Sequence, residues 1–225
     1  MKWRSFLSIA LVAAAAGLAA ASRAQERFDY TVRDAMFRAF GGNEAAFKHA
    51  QAIIDEKLRE DPDHAEALVW RGVGRYFQAG RAFGTDDVSA ARQLTADAIA
   101  DMDRAIGLQP RNIAVLVPRA AVLLVGARNQ RDPARTRDLA ARAATDFETA
   151  LALRRPDFAG LAQHNRGEYL SGLAESWALA GQREKAEAYL RRILAELPGS
   201  PYAQRASAKL ADWSDQRALN CQTCH

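Results

Sequence analysis

Cysteine is nearly missing from this 225-residue chain: there are two, Cys221 and Cys224, and both fall within the last five residues. The body of the chain therefore cannot carry a disulfide framework. Beyond residue 24 no stretch approaches the roughly 20 uninterrupted apolar residues of a spanning helix. Runs of β-branched residues with period-two alternation are also missing, while alanine, leucine, arginine and glutamate dominate, so the chain reads as all-α. There is no glycine-rich phosphate loop, no HExxH and no nucleophile elbow; His49, His64 and His164 stand isolated from such spacings. With no catalytic constellation in view, the chain is not expected to be an enzyme on its own.

Positive charge is less abundant than the total suggests. The formal net charge is +4, but Lys2, Arg4 and Arg23 lie in an N-terminal segment without acids, and their removal leaves +1. Nucleic acid is therefore not an expected partner. That segment, residues 1–24, has a basic start, an apolar run from Phe6 to Ala21 and the small-residue site Ser22-Arg23-Ala24. It reads as a secretory signal peptide cut after Ala24, with an uncut anchor as the alternative. The mature chain is expected in the periplasm or otherwise exported, with no membrane span after cleavage.

Helical hairpins organise the rest of the chain. Between Arg166 and Pro198, two stripes flank Gly181: Leu170, Leu173, Ala174 and Trp177, then Ala186, Leu190, Ile193 and Leu194. Their spacing is that of two amphipathic helices joined by a tight turn. Upstream, Leu68, Gly72, Tyr76 and Gly80 mark a helix ahead of a long loop, Arg81 to Val88. A second helix, about Ser89 to Leu108, ends before Pro110. Asn112 to Ala127 forms another, Asp132-Pro133 opens the next, and a helix starting near Asp157 continues to Ala180. Residues 25–60 form an N-terminal hairpin, and a helix from Ser200 to Leu219 carries Tyr202, Ala206, Leu210 and Trp213 on one stripe.

The segment around Gly181 resembles the tetratricopeptide repeat, with Leu170, Leu173, Trp177, Gly181, Ala186, Leu190, Ile193 and Pro198 at its hydrophobic, small and terminating positions. Ala174 departs mildly, where the pattern often has glycine. The resemblance implies a solenoid of about four to five degenerate repeats over residues 61–199 and the hairpin before them, closed by a capping helix over 200–219. A tight helical bundle is the competing architecture. The resemblance also implies a concave groove, lined by the first helix of each repeat, that holds a protein or peptide partner. Trp70, Phe77, Glu168 and Glu175 would face it, with Gly74, Ser171 and Ala178 alongside. Arg71, Arg75 and Arg81 cluster near Trp70, either as a solvated face or as a seat for carboxylates.

The chain closes on Cys221-Gln222-Thr223-Cys224-His225, a CxxCH. This resembles the attachment motif of c-type cytochromes. The resemblance implies one covalent haem per chain, with thioethers at Cys221 and Cys224 and His225 as the proximal iron ligand. A disulfide or redox CxxC, or a metal site lacking its fourth ligand, stays open beside it. In the cytochromes later residues wrap the haem, whereas here none follows His225. A sixth ligand would come from Met36, Met102, His49, His64 or His164, from a partner, or from water. The combined expectation is an exported repeat scaffold with a haem on its tail, serving electron transfer or assembly. The alternative is a haem-free periplasmic scaffold with a disulfide, redox or metal handle, in envelope assembly or cytochrome maturation.

Overall fold

Polar caps and chain-breaking residues alternate along the sequence, and the helices follow that punctuation. The computed structural model describes residues 27–215 and 217–219. Among these residues there are nine α-helices and one 3-10 turn, with no strand. The helices are α1 (Asp29–Phe40), α2 (Glu44–Glu60), α3 (Ala65–Gly84), α4 (Val88–Leu108), α5 (Ile113–Arg128), α6 (Pro133–Arg154), α7 (Gln163–Leu179), α8 (Arg183–Glu196) and α9 (Pro201–Ala211). Asn43, Asp87, Asn112, Asp132 and Ser200 each accept an early backbone N–H as N-caps, and His64 does so through its ring nitrogen. Such a cap stabilises a helix by about 1 kcal/mol. At Gly181 the backbone takes φ +77°, a left-handed conformation that costs glycine little and lets the chain reverse between α7 and α8.

Each odd-numbered helix up to α7 packs on the even-numbered helix after it, giving four hairpins, and α9 lies on α8 and α7. Laterally α3 touches α1 and α5, and α5 touches α7. The hairpins therefore stack in chain order into a solenoid-like, all-α array whose odd-numbered helices share one layer. Close packing within a hairpin needs small residues: a Cβ at Gly72 of α3 would lie 2.6 Å from Met102 Cγ of α4. Leu170, Leu173, Leu190 and Ile193 are fully buried between α7 and its neighbours, each contributing about 1.5–3 kcal/mol by leaving water.

Three elements differ from expectation. The long loop after Gly80 is mostly helix, because α3 continues to Gly84 and the turn shrinks to residues 85–87. The helix expected from Asp157 starts at Gln163. Phe158–Gly160 form a 3-10 turn instead, which buries Phe158 under Arg192 and against Tyr169. The capping helix expected over 200–219 stops at Ala211. There Asp212 Oδ1 accepts from the Ser214 N–H and hydroxyl, and this side-chain turn competes with further helical hydrogen bonds.

A charged network ties the second hairpin to the third. Arg119 of α5 is buried and donates to Asp146 of α6 at 2.6 Å and to Asp103 of α4 at 2.7 Å, and Arg142 also donates to Asp103. Burial pushes the Asp146 carboxyl up to about 6, against the pull of Arg119 and Arg142 and with a small rise from Asp103. Between the unfolded value near 3.8 and 6, the folded chain then holds a proton that the unfolded chain has released. The contribution of Asp146 to stability must fall as pH rises through that window. Relative to Asp146→Asn, the wild type is expected to gain on the order of 2 kcal/mol on going from about pH 7 to about pH 4.5. Urea unfolding of both chains at the two pH values checks it; a constant difference would show that Asp146 stays ionised.

Candidate functional site

The tail residues Cys221, Cys224 and His225, and the segment 1–24, lie outside the described residues. What the structure places is the chain leading to the tail. After α9 the backbone turns at Asp212 and runs back along that helix. Lys209 Nζ donates to the carbonyls of Trp213 at 2.9 Å and Asp215 at 2.5 Å, and Arg205 Nη1 reaches the Leu219 carbonyl at 3.5 Å. Trp213 lies under the cations of Arg183, at 4.5 Å, and Lys209, at 5.4 Å. Leu219 is buried in the same apolar cluster as Leu170, Ala174, Leu190 and Ala206.

Glu175 holds the end of this segment. One of its oxygens, Oε2, accepts the Leu219 N–H at 3.0 Å and Arg128 Nη2 at 2.7 Å, while Oε1 accepts Arg128 Nε at 2.5 Å. Such a bidentate, charge-assisted pair is stronger than a neutral hydrogen bond and fixes orientation. Two elements distant in sequence, α5 and α7, thus position residue 219 two places before the first cysteine. Glu168, one further expected groove residue on α7, accepts the Tyr202 hydroxyl at 2.8 Å. Both glutamates already hold parts of their own chain.

Trp70 and Phe77 turn out to be packing residues. Trp70 is 3% exposed, beside a cavity of about 190 Å³ between α2 and α3, and its indole N–H has no partner among the described residues. Phe77 packs on Phe40 and Phe47 with ring centroids 5.2 and 5.4 Å apart. The nearby arginines are already paired with carboxylates of this chain: Arg71 and Arg75 both bind Asp101, and Arg81 binds Glu44. A carboxylate seat does exist there, and Asp101 of α4 fills it.

Among the five upstream candidates for an axial ligand, Met36 and Met102 are fully buried in the core of the first hairpins. His64 spends Nδ1 on the Ala67 N–H and packs its ring on Phe28. His49 is exposed on α2, at the far end of the array. His164 is exposed in the first turn of α7, the helix that holds Leu219, with Nδ1 2.8 Å from the Tyr202 hydroxyl. Two thiols and an imidazole form the donor set a covalent haem requires. Around Leu219 the described charged side chains are already engaged, Arg128 with Glu175 and Arg205 with the Leu219 carbonyl.

The latch on Leu219 had no signal in the sequence; Glu175 was visible only as a groove-face position. No protein-family model matches the chain, no curated protein matches it, and no solved structure matches it. Among the described residues no group of histidine, cysteine and carboxylate side chains is placed to hold a metal ion, and no helix is long and apolar enough to cross a membrane.

Proposed function

We propose that this chain is an exported repeat scaffold, similar to tetratricopeptide proteins, that carries one covalent haem on Cys221 and Cys224 with His225 as proximal ligand. It serves as an electron-transfer or assembly component and binds a protein or peptide partner through its odd-helix face. One observation carries the reading: both cysteines of the chain, with a histidine, are spent on a single CxxCH, two residues beyond an amide that the fold anchors. The bound group would supply one-electron chemistry. What supports a role for the fold is the contact just ahead of the motif: Glu175 accepts the Leu219 N–H, and Arg128 holds that carboxylate.

The test is expression of the full chain in a host with cytochrome-maturation machinery. A haem stain that survives denaturing electrophoresis is expected at the mass of the chain, together with a Soret band. Cys221→Ser with Cys224→Ser should abolish the stain, whereas His225→Ala should keep it and alter the spectrum. An unstained wild type would overturn the haem function and leave the disulfide-tailed scaffold in its place.

A further inference from the structure

The cavity of about 190 Å³ between α2 and α3 joins two kinds of wall. Met36, Ile54 and Trp70 give it an apolar side, and Gln51, Asp55, Arg75 and Gln78 a polar one. Helical spacing brings the polar groups together: Gln51 and Asp55 share one face of α2, and Arg75 and Gln78 one face of α3. Gly74 adds room. At Gly72 a Cβ would collide with Met102, but at Gly74 it would only touch Met36 Cε and Phe47 Cε2, each at 3.6 Å. Packing thus tolerates alanine at 74, where glycine weakens the helix; what the missing methyl enlarges is the cavity.

The polar wall keeps spare bonding capacity. Arg71 takes both oxygens of Asp101 through Nε and Nη2, while Arg75 reaches Asp101 through Nη1 alone. Two guanidinium groups therefore share one carboxylate, and the other donors of Arg75 have no partner among the described residues. Asp55, which is exposed, and the half-buried amides of Gln51 and Gln78 make no side-chain hydrogen bond among those residues either. The Trp70 indole N–H is likewise unpaired. An unpaired carboxylate on α2 and unpaired arginine donors on α3 thus border one small, partly apolar space.

We propose that this cavity binds a small free amino acid with an apolar side chain. Its carboxylate takes the spare donors of Arg75, its ammonium group is received by Asp55, and the Gln51 and Gln78 amides complete the bonding. The side chain lies against Met36 and Ile54. A concave site with an apolar wall and a few converging polar groups suits a small ligand, and charge-assisted bonds at both ends select the zwitterion. Because Asp55 belongs to the first hairpin and Arg75 to the second, the bound molecule joins the two. The site uses no residue of the tail and stands independently of the haem function.

L-valine is the probe, with isovalerate, which lacks its ammonium group, and isobutylamine, which lacks its carboxylate, as controls. In ¹H–¹⁵N spectra of the full chain the Trp70 indole signal, assigned with Trp70→Phe, is expected to shift saturably with valine at a Kd of about 1 mM or below. Either control should bind at least about tenfold more weakly. Asp55→Asn removes an exposed, unbonded charge and should weaken valine at least about tenfold without changing the haem stain. Gly74→Ala, which the packing tolerates, should also weaken valine while the melting temperature holds or rises. A weaker or unsaturable response of the wild type, an equal response to isovalerate, or full valine affinity in either variant would overturn the amino-acid site and leave the haem function standing. An unstained wild type that still binds valine in this way would overturn the haem function alone.

Discussion

Arg119→Ala is expected to destabilise the chain by about 3–5 kcal/mol, because removing one partner of a buried ion pair leaves the other charge uncompensated. Asp146 is 5% exposed, and its Oδ2 lies 2.6 Å from Arg119 Nη1. With the guanidinium gone it must stay charged in an apolar setting or take up a proton at a pH above its own value. The change also removes one of the two arginines on Asp103 and leaves it to Arg142, so the cation that α4, α5 and α6 share is lost. Thermal unfolding at about pH 7 measures the effect. At about pH 4.5 the penalty should shrink, since a protonated Asp146 no longer needs the partner. Arg119→Met, which keeps most of the volume, should cost nearly as much at neutral pH if charge is the cause and far less if packing is. A loss below about 1 kcal/mol in both variants would place this pair with the weak surface ion pairs.

The contrast between this network and the helix boundaries explains what could be read from the sequence. Local punctuation was legible: Pro62, Pro110 and Pro198 stand just after the ends of α2, α4 and α8, Pro133 opens α6, and Gly181 supplies the turn between α7 and α8. Each acts through its own backbone within a few residues. Partners across hairpins were not legible. Arg71 and Asp101 are 30 residues apart, Arg128 and Glu175 are 47 apart, and Glu175 and Leu219 are 44 apart. Helical periodicity places each on a face of its own helix, but which faces meet depends on how the hairpins stack. The early end of α9 shows a different failure. Tyr202, Ala206, Leu210 and Trp213 keep a helical spacing through the stop, yet the Asp212–Ser214 turn and the Lys209 bonds to the Trp213 and Asp215 carbonyls redirect the chain. That redirection brings Leu219 back to α7.

Gly167→Ala is expected to detach α9 from α7. The added Cβ would lie 2.3–2.5 Å from three ring carbons of Tyr202, well inside any contact that packing permits. Tyr202 is 6% exposed, and its hydroxyl is bound 2.8 Å from both Glu168 and His164. The ring cannot retreat without breaking those bonds, so the helix must move. Overpacking of this kind costs about 1–3 kcal/mol, offset by roughly 1 kcal/mol from the better helix propensity of alanine. In a stacked array such a loss stays with the nearest neighbour, so α1 to α6 should keep their melting transition while α9 frays. Limited trypsin digestion should then cut after Arg205 and Lys209 much faster than in the wild type. Tyr202→Leu in the same chain should restore much of the resistance by removing the clash. Because the return segment hangs on α9 through Lys209 and Arg205, fraying would also free Leu219 from Glu175. Unchanged digestion in Gly167→Ala would mean that Tyr202 has room to turn aside, and that the docking of α9 depends on its remaining contacts with α8 rather than on this ring.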